Sequence, residues 1–244
     1  MRIGITGFPV LKYTFDWSII TSGQYFDWLV SGLLTTLKLS AISIVLAFIL
    51  GLIIAVMRMS HNRPVRWFAL AYLEFFRNTP LLVQLFFWYF GSYKILPAAV
   101  NDWLVSTNFE FAAAATALTI YTSAFIAEDI RSGVLSIPKE QMEASRSAGF
   151  SYLRSMQYII LPQAVRITIP PLVNQFLNVA KNSSLAMTIG VMEMTYQARQ
   201  VESYSFKGFE AFTAATVVYL TLSIVITSLV NLYNEKVLSV HKAT

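Results

Sequence analysis

The sequence contains no cysteine, which excludes a disulfide framework, thiolate metal sites and cysteine nucleophiles together. Its two histidines, His61 and His241, each sit in a short segment flanked by Lys or Arg, where a solvated loop residue is expected rather than a metal ligand. There is no H-E-x-x-H pair and no G-x-x-x-x-G-K-[ST] phosphate loop, so zincin chemistry and P-loop binding of ATP do not belong to this chain. Glu128 and Asp129 are neighbours in sequence, and on a helix such neighbours diverge instead of converging on one substrate atom. No metal site, no catalytic residue and no cofactor of its own is therefore expected.

Charge is also scarce. Only 13% of the 244 residues are charged, against 56% hydrophobic residues and a mean hydropathy of +0.57, too apolar for an ordinary soluble domain. The composition predicts an all-α, polytopic membrane protein. At about 20 residues per crossing, five spans are expected. Leu39 to Met57, Phe111 to Ala127 and Ala211 to Asn234 carry no charge, and Trp103 to Val105 are read as an outward extension of the second of these. Two more are interrupted: Trp67 to Tyr93 by Glu74 and Arg77, and Ile167 to about Val191 by Lys181. Residues 1–27 lack the order of a cleaved signal peptide and read as an external aromatic lead-in, with Trp17 and Trp28 suited to the headgroup boundary. Residues 28–236 form the membrane domain and 237–244 a cytoplasmic tail.

Orientation follows from Lys and Arg in the connections. An external N-terminus leaves Arg58, Arg63, Arg66, Arg131, Lys139, Arg146, Arg154, Lys236 and Lys242 inside, with Arg2, Lys12, Lys94, Arg199 and Lys207 outside. Lys38, Arg77, Arg166 and Lys181 lie at or within spans. An odd number of spans then puts the C-terminus in the cytoplasm. The net charge of +5 needs no nucleic acid, because an anionic lipid leaflet is partner enough.

The longest internal connection runs from about Arg131 to Gln157, or to about 162 with the start of the next segment, and takes in most of QMEASRSAGFSYLRSMQYIILPQA, residues 141–164. Pro138 is expected to open a helix capped by Ser136 or Ile137. Gly149 is expected to end it in the left-handed conformation, and Ser151 to cap a second short helix toward Tyr158. Ala144, Ser145, Ala148 and Gly149 make a stripe of small residues along which another chain could approach. An interfacial helix on lipid would show a bulky apolar face; this one is suited to docking on protein.

Glu143, Ala144, Ser145, Gly149, Ile159, Leu161 and Pro162 stand at the spacing of the EAA loop of ABC importer permeases, with Ser145 for the second alanine. More of the chain resembles the permeases for polar amino acids. Gly32, Thr35, Thr36 and Leu37 resemble their first-span start. Tyr72, Glu74, Phe76, Arg77, Asn78, Thr79, Pro80, Leu81 and Gln84 resemble Y-x-E-x-F-R-[GN]-T-P-L-x-x-Q. Tyr121, Ala124, Phe125, Ala127, Glu128, Arg131 and Gly133 resemble the end of the third span, and Lys181, Asn182, Ser183, Ser184 and Leu185 resemble K-[ND]-[ST]-[SA]-L. Glu140 departs, since that branch usually has Gly there. The resemblance implies the type I importer permease fold, a bacterial inner-membrane location, and a coupling helix inserted into a separate ATPase subunit. Its implied partners are a second permease, alike or different, two ATP-binding subunits that hold ATP and Mg, and a periplasmic amino-acid-binding protein. Similarity points to glutamate and aspartate, with glutamine or another polar amino acid as the alternative.

Within the spans, Arg77 and Lys181 stand out because an ionisable group at depth needs a partner or a cavity. For Arg77 the readings are an ion pair with Glu74 one turn away, or a contact with the substrate carboxylate. Lys181, with Asn182, Ser183 and Ser184, either lines a wet path or snorkels to the outer headgroups. Gln84 either offers a polar contact or bonds a neighbouring helix. Pro80 should distort its span, and Pro170 and Pro171 either kink or hinge theirs. A secondary transporter would show paired broken spans in internal repeats, and none is visible.

Overall fold

A computed structural model describes residues 13–238. Arg2, Lys12, His241 and Lys242 lie outside them. The regular elements among the described residues are all helical, with no strand among them. Trp17–Ile20 is a 3-10 turn capped by Asp16, whose carboxylate accepts from the Ser18 hydroxyl at 2.5 Å and amide at 3.1 Å. Those two donors hold the Asp16 carboxyl below its ordinary range.

Helix α1, Gly23–Arg58, is 36 residues long, about 54 Å at 1.5 Å per residue. It is followed by α2 (Arg63–Asn78), α3 (Leu81–Phe86), a π turn (Phe87–Gly91), α4 (Ser92–Ile95) and α5 (Ala98–Thr107). Then come α6 (Phe109–Leu135), α7 (Lys139–Ser147), α8 (Tyr152–Ser155), a π turn (Met156–Ile160), α9 (Leu161–Asn182) and a 3-10 segment (Ser183–Ile189). The chain ends in α10 (Met194–Ser205) and α11 (Gly208–Leu238). Residues 27 and 236, the expected boundaries of the membrane domain, lie inside α1 and α11. Among the described residues three helices are long and apolar enough to cross a membrane: Gly23–Arg58, Phe109–Leu135 and Gly208–Ser228.

The other two expected spans are segmented. Pro80 lacks the N–H that would continue α2, and Thr79 and Pro80 take extended backbone with ψ of 136° and 135°. α9 continues through Pro170 and Pro171 and tightens into the 3-10 segment after Asn182. Trp103 to Val105 do not extend α6. They belong to α5, and Asn108 starts α6 anew by accepting from the Phe111 amide at 2.9 Å.

Small side chains set the packing. Along α1, Gly32, Thr36, Ser40, Ser43, Ala47, Gly51 and Ala55 are all buried, and α6 answers with Ala113, Ala114, Ala117, Ser123, Ala124 and Ala127. This is how helices approach closely where lipid gives no hydrophobic drive. A Cβ on Gly51 would stand 2.6 Å from Ile126 Cγ2 and 3.0 Å from the Ser123 carbonyl. A Cβ on Gly133 would overlap Thr168 Oγ1, so α6 and α9 also meet at backbone distance.

Candidate functional site

The segment read from the sequence as a docking element begins where α6 stops. Pro138 is the cap of α7, with φ −55° and ψ 136°, and Lys139 is the first helical residue, one position later than proline chemistry predicts. Gly149 has φ +89°, a conformation that a β-carbon penalises. The Phe150 amide reaches back to the Ser145 carbonyl at 3.1 Å and the Gly149 amide to the Arg146 carbonyl at 3.1 Å, closing the helix end. Ser151 caps α8 by accepting from the Arg154 amide at 3.3 Å.

The faces of α7 differ from the expected stripe in one respect. Glu143, Ala144, Ala148 and Gly149 are exposed, whereas Ser145 is buried. Its Oγ lies 2.7 Å from Ser155 Oγ and 2.8 Å from the Met142 carbonyl. A hydroxyl in place of alanine thus anchors α7 to α8 from the inner side. Ile137, Ile160 and Ala164 form the core beneath, with Met142, Met156 and Ile159 packed on it, and Gln163 donates to Gln141 Oε1 at 2.6 Å. Ile159 belongs to that core, while Leu161 and Pro162 are exposed at the start of α9. Leu153 is 76% exposed and Tyr158 64%, so the α7–α8 segment presents small and apolar side chains outward together.

The second cluster lies around the break after α2. Arg77 is in the last turn of α2, where a cation complements the helix dipole. Its guanidinium sits over the Phe125 ring at 5.4 Å from the centroid. The Glu74 pairing is not formed. Glu74 accepts from Asn78 Nδ2 at 3.0 Å, and the Arg77 charge instead acts on Glu128 and Asp129 of α6. Those neighbours do diverge: Glu128 takes Arg131 at 2.9 and 2.5 Å, and Asp129 accepts from Gln175 of α9 at 2.8 Å. Gln84 is buried, its Nε2 within 3.0 Å of the Phe76 carbonyl, 3.2 Å of the Thr79 carbonyl and 2.8 Å of Thr79 Oγ1. It fills acceptors that the Pro80 break leaves without a backbone donor.

On α9, Asn174, Asn178 and Lys181 are exposed and follow helical spacing, so they share one face. Ser183 is buried and donates to the Ala180 carbonyl at 2.8 Å, whereas Asn182 is half-buried. Arg77, Asp129 and Gln175 form a polar zone across α2, α6 and α9, and the Asn174–Lys181 face lies on that same α9. Sequence reasoning found Arg77 and Lys181 and missed Asn174, Gln175 and Asn178.

It also missed Glu193, which is fully buried. Glu193 caps α10 by accepting from the Thr195 and Tyr196 amides at 3.0 and 2.8 Å, and Tyr219 of α11 donates to it at 2.5 Å. The Met194 amide donates to Thr36 of α1 at 3.1 Å. The available signal was a lone acid inside the apolar run Val191 to Met194, the criterion that singled out Arg77 and Lys181. Among the described residues no group of His, Cys, Asp and Glu could hold a metal ion.

A family model described as "Binding-protein-dependent transport system inner membrane component" matches residues 47–239. The chain is 46% identical over 211 residues to a protein of Bacillus subtilis (strain 168) described as probable glutamine ABC transporter permease protein GlnM, covering 86% of this chain and 93% of that one. It is 32% identical over 217 residues to the glutamate/aspartate import permease protein GltJ of Escherichia coli (strain K12), covering 87% and 88%. Among solved structures, a chain of an amino acid ABC transporter with histidines superposes with a TM-score of 0.81 at 32% identity, covering 92% of this chain and 100% of that one. A chain of the MetNI methionine ABC transporter, at 20% identity and a TM-score of 0.66, shares the fold.

Proposed function

Because the chain belongs to the family of binding-protein-dependent transport system inner membrane components, we propose that it is the membrane-spanning permease subunit of an ATP-driven importer of polar amino acids. The observation that carries this reading is α7, seated from its inner side by Ser145 and presenting Glu143, Ala144 and Gly149 outward. A chain without a phosphate loop that builds a docking platform has its energy source in another subunit. The partners are two ATP-binding subunits that hold ATP and Mg, a second permease alike or different, and a soluble amino-acid-binding protein, assembled in a bacterial inner membrane.

The proposed topology has five crossings. α1, α6 and α11 supply three. The α2–α4 run and α9 with its 3-10 extension supply the interrupted pair, with the N-terminus outside and α7 in the cytoplasm. Closure of the ATPase pair moves α7, and the α8–α9 run, continuous through its π turn, carries that motion toward the polar zone, giving alternating access. Arg77 is proposed to meet the substrate α-carboxylate in the state that admits it. Lys181, Asn182 and Ser183 are proposed to line the path, and Gln84 to hold the broken span in shape beside it.

For substrate, sequence resemblance favours glutamate and aspartate, and the 46% identity to the probable glutamine permease supports glutamine. Uptake of labelled glutamine and glutamate by cells with and without this chain, each challenged by excess aspartate, histidine or arginine, separates the two. Loss of an aspartate-competed component upon deletion identifies the acidic pair, and loss of glutamine uptake alone identifies glutamine. Unchanged uptake of every polar amino acid would overturn the importer reading.

A further inference from the structure

Arg58 ends α1, and Arg63 and Arg66 begin α2 after a short turn. Arg58 and Arg66, with Trp67 and Leu70, line a cavity of about 110 Å³. At ~30 Å³ for each liquid water, that is room for a small tetrahedral oxyanion. Arg58 Nε is buried and has no hydrogen-bond partner, although a desolvated guanidinium N–H calls for an acceptor. Among the described residues the one ion pair is Arg131–Glu128, so neither cavity arginine has a carboxylate at contact distance. Glu128 does feel the Arg58 charge, but both its oxygens are taken by Arg131.

The surroundings select the kind of anion. Trp67 is 66% exposed, Phe68 63% and Val56 59%, so the cationic cavity opens among bare apolar side chains. Ile54 and Ala55 pack with Ala124, Ala127 and Ile130, which places the cavity at the end of the bundle where α6 leads into α7. A free oxyanion would satisfy the guanidinium groups and leave that apolar rim wet. A lipid satisfies both.

We propose that Arg58 and Arg66 bind the phosphodiester of an anionic phospholipid in the leaflet on the α7 side, with Trp67 against its glycerol region and its chains along α1 and α2. This rests on the membrane-subunit reading above. Guanidinium forks match phosphate oxygens in pairs, and basic pockets between spans on the cytoplasmic side take such headgroups.

The test is native mass spectrometry of the purified full chain in detergent, titrated with phosphatidylglycerol, phosphatidylcholine or inorganic phosphate. It reads lipid retention and not transport, so it fails independently of the importer reading. The wild type should retain phosphatidylglycerol over phosphatidylcholine by roughly 25-fold, at about fivefold for each of the two cations. Arg58→Gln with Arg66→Gln should abolish that preference, and the double Lys variant should keep part of it. Removing equal charge by Lys139→Gln with Arg154→Gln should leave it intact, and size-exclusion profiles identify any variant that has lost its fold. Equal retention of the two lipids, or a preference unchanged in the double Gln variant, overturns the proposal. Displacement of phosphatidylglycerol by millimolar inorganic phosphate would identify a soluble phosphate site instead and also overturn it. So would loss of retained lipid upon addition of the ATPase subunit, which would assign the cavity to a protein carboxylate.

Discussion

Ser145 of α7 and Ser155 of α8 meet oxygen to oxygen at 2.7 Å in a buried seam. The seam fixes how the docking helix sits, and it accepts only a small side chain. Ser145→Ala removes about 1 kcal/mol of hydrogen bonding without changing the fit, so uptake should stay within about twofold of wild type. Ser145→Phe overfills the seam at about 1–3 kcal/mol, and uptake should fall roughly tenfold at an unchanged level of chain in the membrane. Radiolabelled uptake normalised by immunoblot checks both. Full uptake by the Phe variant would mean that α7 needs no fixed seat.

Gly149 has open space around the position of a β-carbon, yet its φ is +89°. Gly149→Ala therefore tests backbone conformation alone, at about 1–2 kcal/mol. Glu143 is exposed, so Glu143→Arg changes the docking face and leaves the fold. Both should insert normally and lose the stimulation of ATP hydrolysis by loaded binding protein in reconstituted complexes. Normal stimulation in both would remove the coupling role from α7.

Arg77 is exposed and lies over Phe125, with no acid at ion-pair distance among the described residues, so its charge is not neutralised. Arg77→Ala should lower turnover per folded complex by roughly tenfold or more, as expected when a charge contact to substrate is lost. Arg77→Lys should recover part of it. If Arg77→Ala lowers only the amount of complex and not its turnover, the residue serves packing.

Gly51 and Gly91 make a matched pair. A β-carbon at Gly51 meets Ile126 and the Ser123 carbonyl within 3.0 Å, whereas at Gly91 it makes ordinary contact with the Phe87 ring at 3.5 Å. Gly51→Ala should cost about 1–3 kcal/mol and lower the apparent Tm in detergent by several degrees, while Gly91→Ala should be neutral. Equal behaviour of the two would show that the α1–α6 contact relaxes freely.

The all-helical class, the turn at Gly149 with the cap at Ser151, and the break at Pro80 were legible because each rests on local chemistry. Ser151 caps, Gly149 turns left-handed, and Pro80 withholds a donor, all within a few residues of the effect. What was not legible depends on partners distant in sequence. Nothing near Ser145 says that it faces inward, and Arg77 looks locally like a partner for Glu74 until α6 brings Phe125 beneath it. Glu193 finds Tyr219 at a separation of 26 residues, and Met194 finds Thr36 at 158. Helical periodicity carries no record of such pairings.

The polar face of Asn174, Asn178 and Lys181 bears on the life of the chain before assembly. A lone copy in a bilayer would turn two amides and an ammonium group toward hydrocarbon, at a cost of several kcal/mol for each unsatisfied group. With the second permease proposed above seated against this face, that cost would be removed on assembly, so the α9 surface would tie the stability of the chain in the bilayer to the presence of its partner.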